Sequence, residues 1–67
     1  MNVFVNDTPH KTQHDVDLKT FLHSLKLEDF RGWAIALNEE VISAKNFESM
    51  ILKEDDRLLL IQATQGG

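Results

Sequence analysis

The chain closes on Gly66-Gly67, and the chemistry this offers is that of a free carboxylate on residues without side chains. A terminal α-carboxyl has an ordinary pKa of about 3.3–3.7, so at neutral pH it is an ionised oxygen nucleophile that needs no general base from its own protein. Without Cβ atoms, both residues can enter a narrow channel and adopt backbone conformations closed to other residues. Such an end suits delivery into the active site of another protein. The pair alone is weak evidence, because at about 7% glycine usage two terminal glycines arise in about 0.5% of chains. Thr64-Gln65-Gly66-Gly67 spans at most about 13–14 Å when extended. It carries no apolar residue to anchor it. The expectation is a tail over 64–67, mobile from Thr64, on a domain covering 1–63.

Other chemistry-bearing residues read as structural. His10 and His14 stand four apart, but they follow Pro9 in a segment of strand or loop character with no carboxylate to complete a metal site, and solvated histidines are expected. His23 is expected on an exposed helix face. Glu39-Glu40 and Glu54-Asp55-Asp56 fall in turn-like stretches where charge serves solvation. There is no cysteine, which removes a thiol nucleophile, a disulfide framework and a thiolate metal site. No catalytic residue and no bound cofactor or metal is expected.

At 67 residues, with 42% apolar and 27% charged, the chain is one small domain that must rely on its hydrophobic core. A net charge of −4 opposes binding to a phosphate backbone. It fits a protein partner with a basic surface, and it also simply keeps a protein soluble. Trp33 and the four phenylalanines then read as packing rather than base-stacking residues. The start, Met1-Asn2-Val3-Phe4-Val5, lacks the basic and apolar blocks of a secretory signal, and no run reaches membrane-spanning length. A cytoplasmic, monomeric protein without nucleic-acid or membrane partners is expected.

The elements that must position the tail follow from periodicity. Met1–Asn6 alternates and predicts a strand, with Val3 and Val5 on one face and Phe4 on the other; Asn6-Asp7-Thr8-Pro9 is a turn signal, and 10–14 predicts a thin polar edge strand. Asp17 predicts a helix N-cap with Val16 and Phe21 as a hydrophobic staple, and Leu18, Phe21, Leu22 and Leu25 share one helical face ending around 26–28. Trp33–Leu37 predicts a strand, Asn38-Glu39-Glu40 a turn, Val41-Ile42 a short strand, and Ala44–Phe47 a helical turn. Arg57–Ala63 predicts the last strand. Its alternation sends Leu58, Leu60 and Gln62 to one face and Leu59 and Ile61 to the other. With Leu58 and Leu60 in a core beside Val3, Val5, Leu22, Ile35 and Leu37, Leu59 and Ile61 form an apolar patch beside the tail, a candidate partner-docking site. The order is an α+β domain, one helix on a sheet whose first and last strands lie parallel and central.

Gly66-Gly67 after an apolar strand, the acidic turn before that strand, Ala36-Leu37-Asn38 followed by Val41, and the Asn6 hairpin together resemble the small sulfur-carrier proteins of thiamin (thiazole) biosynthesis. The resemblance spans essentially the whole chain. It departs at Ile42-Ser43, where the family often has Pro-Arg, and at Asp55-Asp56, where it often has Gly-Asp. It implies a ubiquitin-like β-grasp fold, a mixed four- to five-stranded sheet packed on one helix. It further implies a carrier that is a co-substrate rather than an enzyme. A ThiF-like adenylating enzyme would consume ATP to activate Gly67, a sulfur donor system such as a cysteine desulfurase would convert it to a thiocarboxylate, and a ThiG-like thiazole synthase would accept the sulfur. The small subunit of molybdopterin synthase is the rival resemblance, but its tail usually carries a proline pair, and this chain's only proline is Pro9. A ubiquitin-like protein modifier and a non-covalent β-grasp binding module are the remaining alternatives.

Overall fold

The computed structural model describes residues 1–62. Five strands and one helix appear in the order β1 (Asn2–Val5), β2 (Thr8–Lys11), α1 (Leu18–Ser24), β3 (Trp33–Leu37), β4 (Glu40–Ile42) and β5 (Arg57–Gln62), with a 3₁₀ segment over Ala44–Ser49. The sheet order is β2-β1-β5-β3-β4. β1 and β5 run parallel and the other neighbours antiparallel, so the first and last strands are interior as expected. β3 is interior too, which leaves β2 and β4 as the edges. This is the α+β, β-grasp arrangement, with all five strands present.

Two hairpin turns set the register. Asn6 and Asp7 both have positive φ (49° and 71°), as do Asn38 and Glu39 (51° and 75°), the backbone that a two-residue type I′ turn requires. Closing the first turn at Asn6-Asp7 places Val5 opposite Thr8 and draws Thr8 and Pro9 into β2. The second strand therefore begins two residues before the predicted start at His10 and ends at Lys11 rather than His14. Pro9 is tolerated because it stands opposite Phe4, in the pair beside the turn pair, where backbone N–H groups point away from the partner strand and toward the free edge.

Helix α1 starts where the cap predicts. Asp17 is extended (φ −81°, ψ 159°), and its carboxylate accepts from the Thr20 backbone N–H at 3.0 Å and the Thr20 hydroxyl at 2.6 Å. Val16 and Phe21 are both buried, as a staple requires. The helix is shorter than its apolar spacing suggested. Lys26 turns left-handed (φ 72°), and the N–H groups of Lys26 and Leu27 bond back to the carbonyls of His23 (2.9 Å) and Leu22 (3.0 Å), a Schellman closure. The predicted helical turn at Ala44–Phe47 extends to Ser49 and buries Phe47. The segment beyond it is tied to the helix entry by Leu18 N–H to Met50 O (2.8 Å) and Leu52 N–H to Val16 O (2.9 Å).

The core lies between α1 and one sheet face. Val3, Ile35, Ile42 and Leu58 meet Leu18, Phe21, Leu22, Phe47 and Leu52 there, all buried. Val5, Leu37 and Leu60, expected in the core, are half-buried at its margin. Among the described residues no buried side-chain polar atom lacks a partner, and no helix is long and apolar enough to cross a membrane.

Candidate functional site

With one sheet face spent on the helix, the other faces outward, and the registers say what it carries. Phe4 pairs with Arg57, Ala34 with Ile61, and Ala36 with both Leu59 and Val41, so these residues share a face. Leu59, Ile61 and Val41 are 48%, 53% and 74% exposed. The small Ala34 and Ala36 on β3 leave β5's side chains standing clear of their neighbours. The result is an apolar strip running along β5 toward its C-terminal end.

Arg57 begins that strip. Its guanidinium lies over the Phe4 ring, 4.9 Å from the centroid, and one nitrogen comes within 3.7 Å of the Asp7 carboxylate. Beside it lies an open concavity of about 340 Å³, lined by Ala36, Leu58 and Leu59 together with Arg57, Asp7 and Glu39.

Two asparagines at the hairpin tips hold β5 in place beneath this face. β1 ends its strand pairing at Val5, and Asn6 continues the contact by other means: its backbone N–H donates to Leu58 O (2.9 Å), its Oδ1 accepts from Leu60 N–H (2.8 Å) and its Nδ2 donates to Leu60 O (3.3 Å). From the other side, Asn38 Oδ1 accepts from Arg57 N–H (3.0 Å) and Nδ2 donates to Asp56 (3.0 Å). Each side-chain amide thus takes the place of a strand neighbour.

The acidic turn before β5 is structural, as its position suggested. Asp56 accepts from Lys53 N–H (2.8 Å), and Glu54 accepts from Asn2 N–H (2.8 Å). No cluster able to hold a metal occurs among the described residues. His10 is not the solvated side chain expected: the shifted start of β2 sets it opposite Val3, under the helix, edge-on to Phe21 at 6.4 Å. His14 and His23 are exposed, and His23 stacks on Phe30 at 5.9 Å.

Leu59 and Ile61 lie together on the outward face. Thr64, Gln65, Gly66 and Gly67, with Ala63, lie outside the described residues. Phe4, Arg57 and Val41 were not singled out from the sequence as part of this face. Strand parity held the signal for Phe4, already opposite in parity to Val3 and Val5 beside a parallel last strand. Val41 needed the two-residue length of the Asn38-Glu39 turn.

A family model described as the ThiS family matches residues 3–67. The crystal structure of a thiamine biosynthesis protein (ThiS) from Geobacter metallireducens superposes with a TM-score of 0.86 at 25% identity, covering all of both chains. An NMR solution structure of a thiamine biosynthesis protein from the same organism superposes with a TM-score of 0.77 at 25% identity, covering all of this chain and 88% of the other. No curated protein matches the chain.

Proposed function

We propose, because this chain belongs to the ThiS family, that it carries sulfur for thiamin thiazole biosynthesis on the carboxylate of Gly67. The observation that carries this reading is the family match, which runs to residue 67 and so includes both glycines. In the first step a Gly67 carboxylate oxygen bonds to the α-phosphorus of ATP in an adenylating enzyme and pyrophosphate leaves. A donor then delivers sulfur at the sulfide level to the acyl carbon, and AMP departs with the original oxygen. The thiocarboxylate so formed hands its sulfur to a thiazole synthase. This protein supplies the reacting carboxylate, the reach of the tail and a surface by which its partners hold it, while the catalytic groups belong to them.

The outward face supports that division of labour. Leu59 and Ile61 stand exposed on the strand that leads into the tail, so a partner that covers them has the Gly67 end within reach of its own active site. We assign Leu59 and Ile61 to partner docking and Thr64 to Gly67 to delivery.

Intact-mass measurement after incubation with ATP, a cognate adenylating enzyme and a sulfur source tests the proposal. A mass gain equal to replacing one oxygen by sulfur is expected, lost in a chain without Gly67. Conjugates of much higher mass would identify a protein modifier instead, and an unchanged mass would overturn covalent chemistry at Gly67 altogether. In the same assay, Gly66→Ala should remain folded but be activated slowly, since its added Cβ meets the walls of the channel.

A further inference from the structure

The charge on the outward face runs against that of the whole chain. Net charge is −4, yet the strand residues of outward parity include no carboxylate, and their charged members are Lys11 and Arg57. Lys11 stands on the edge strand β2. Arg57 is on interior strand β5, immediately before the exposed Leu59 and Ile61 on the same face.

The surroundings of the Arg57 guanidinium are Phe4 and Asp7. The guanidinium carbon lies over the Phe4 ring, 4.9 Å from its centroid, a cation–π contact that uses none of the N–H donors in a hydrogen bond. The approach of Asp7 at 3.7 Å is longer than a hydrogen bond, and the Arg57 side chain forms no hydrogen bond among the described residues. It is 66% exposed. A guanidinium with its fork unoccupied is matched by a carboxylate, which it can grip through two parallel hydrogen bonds.

We propose that Arg57 reads an acidic side chain on the partner that covers this face, and so determines which partner docks. The proposal rests on the carrier reading above, with the adenylating enzyme as the partner. The ligand is a protein side chain rather than a free anion: Asp7 and Glu39 border the concavity and repel a small anion arriving alone. A carboxylate presented on an apolar surface gains from Leu59 and Ile61 what it loses to those rim charges. Once covered, Arg57 must be paired, because a charge buried in an interface without its counterpart weakens binding severely. A partner with a neutral or basic side chain at that place is thereby rejected.

Binding of the cognate adenylating enzyme to wild type, Arg57→Glu, Arg57→Gln and Lys45→Glu, with melting temperatures for each, tests the idea. Lys45 sits exposed on the 3₁₀ segment on the helix side, so its reversal makes the same change in net charge away from the face. Arg57→Glu and Arg57→Gln should each weaken binding about 30-fold or more, with wild-type melting, and Lys45→Glu should leave it within about threefold. Wild-type affinity in both Arg57 variants, or an equal loss in Lys45→Glu, would overturn the proposal while leaving the carrier function standing. A wild type that the enzyme neither binds nor adenylates would overturn both.

Discussion

Asp17 shows how much one half-buried side chain can organise. Its carboxylate closes the first turn of α1 through the Thr20 hydroxyl and backbone N–H, and these hydrogen bonds hold its pKa below the ordinary value, the hydroxyl contributing most. The linkage follows in sign: a carboxyl lowered by folding contributes stability in full above its unfolded pKa of about 3.9, and loses it as pH falls through the folded value. Asp17→Ala should therefore cost about 1 kcal/mol at pH 7, a fall in melting temperature of about 4–8 °C for a chain this size. The gap to wild type should close as melts are repeated from pH 5 down to pH 2, and a gap that persists at pH 2 would show that the cap acts without its charge. Asp29 is lowered further, to about 2, by the hydrogen bonds from Arg31 at 2.7 and 2.9 Å, with Arg31 raised in return. That pair lies in open solvent, where such contacts contribute little.

At the scale of elements, the two hairpins decide what could be read in advance. Helix α1 was legible because its cap, staple and apolar spacing are all local, and β3 and β5 because apolar runs of strand length are unmistakable. The start of β2 was not, since Asn6-Asp7-Thr8-Pro9 contains turn formers at every position and only the left-handed backbone at Asn6 and Asp7 fixes which two residues turn. The end of α1 was hidden for a related reason: the left-handed residue that closes it is Lys26, where a glycine would have announced it. The Asn38-Glu39 turn allows a sharp test, because its two left-handed residues differ in what their side chains do. Glu39 accepts a left-handed backbone without a hydrogen bond in return among the described residues, whereas Asn38 bonds to Arg57 and Asp56. Glu39→Gly should raise stability by about 0.5–1 kcal/mol, the relief of left-handed strain less the extra freedom of glycine in the unfolded chain. Asn38→Gly should lower it by about 1 kcal/mol or more, through loss of the bonds that hold the start of β5. Urea titrations of both variants check this, and equal effects at the two positions would deny the asparagine its role as a clamp.

For the whole molecule, the consequence of this topology is that the proposed docking residues lie on the strand whose sequence continues to the proposed reactive end. Placing β5 between β1 and β3 buries Leu58 under the helix and leaves Leu59 and Ile61 on the open face, with the chain continuing from that strand toward Gly67. Of this arrangement the outward placement of Leu59 and Ile61 was legible, because both lie on one continuous alternating stretch of sequence, whereas Gly66 and Gly67 lie outside the described residues. The contribution of Phe4 and Val41 was not legible, because it depends on strands far apart in the chain meeting in a particular register. The proposed division between core and docking surface predicts opposite behaviour from neighbouring leucines. Leu58→Glu puts a charge into the buried core and should unfold the domain or depress its melting temperature severely. Leu59→Glu and Ile61→Glu, already about half exposed, should keep melting within a few degrees of wild type. Each should nevertheless weaken binding to the adenylating enzyme by roughly tenfold or more, the loss of about 1.5 kcal/mol from an apolar side chain that binding would have buried. Parallel melts and binding isotherms on the three variants distinguish the alternatives. If Leu59→Glu and Ile61→Glu melt as low as Leu58→Glu, the residues serve the core. If they fold and bind like wild type, the partner approaches the tail from another side and the outward face has no part in docking.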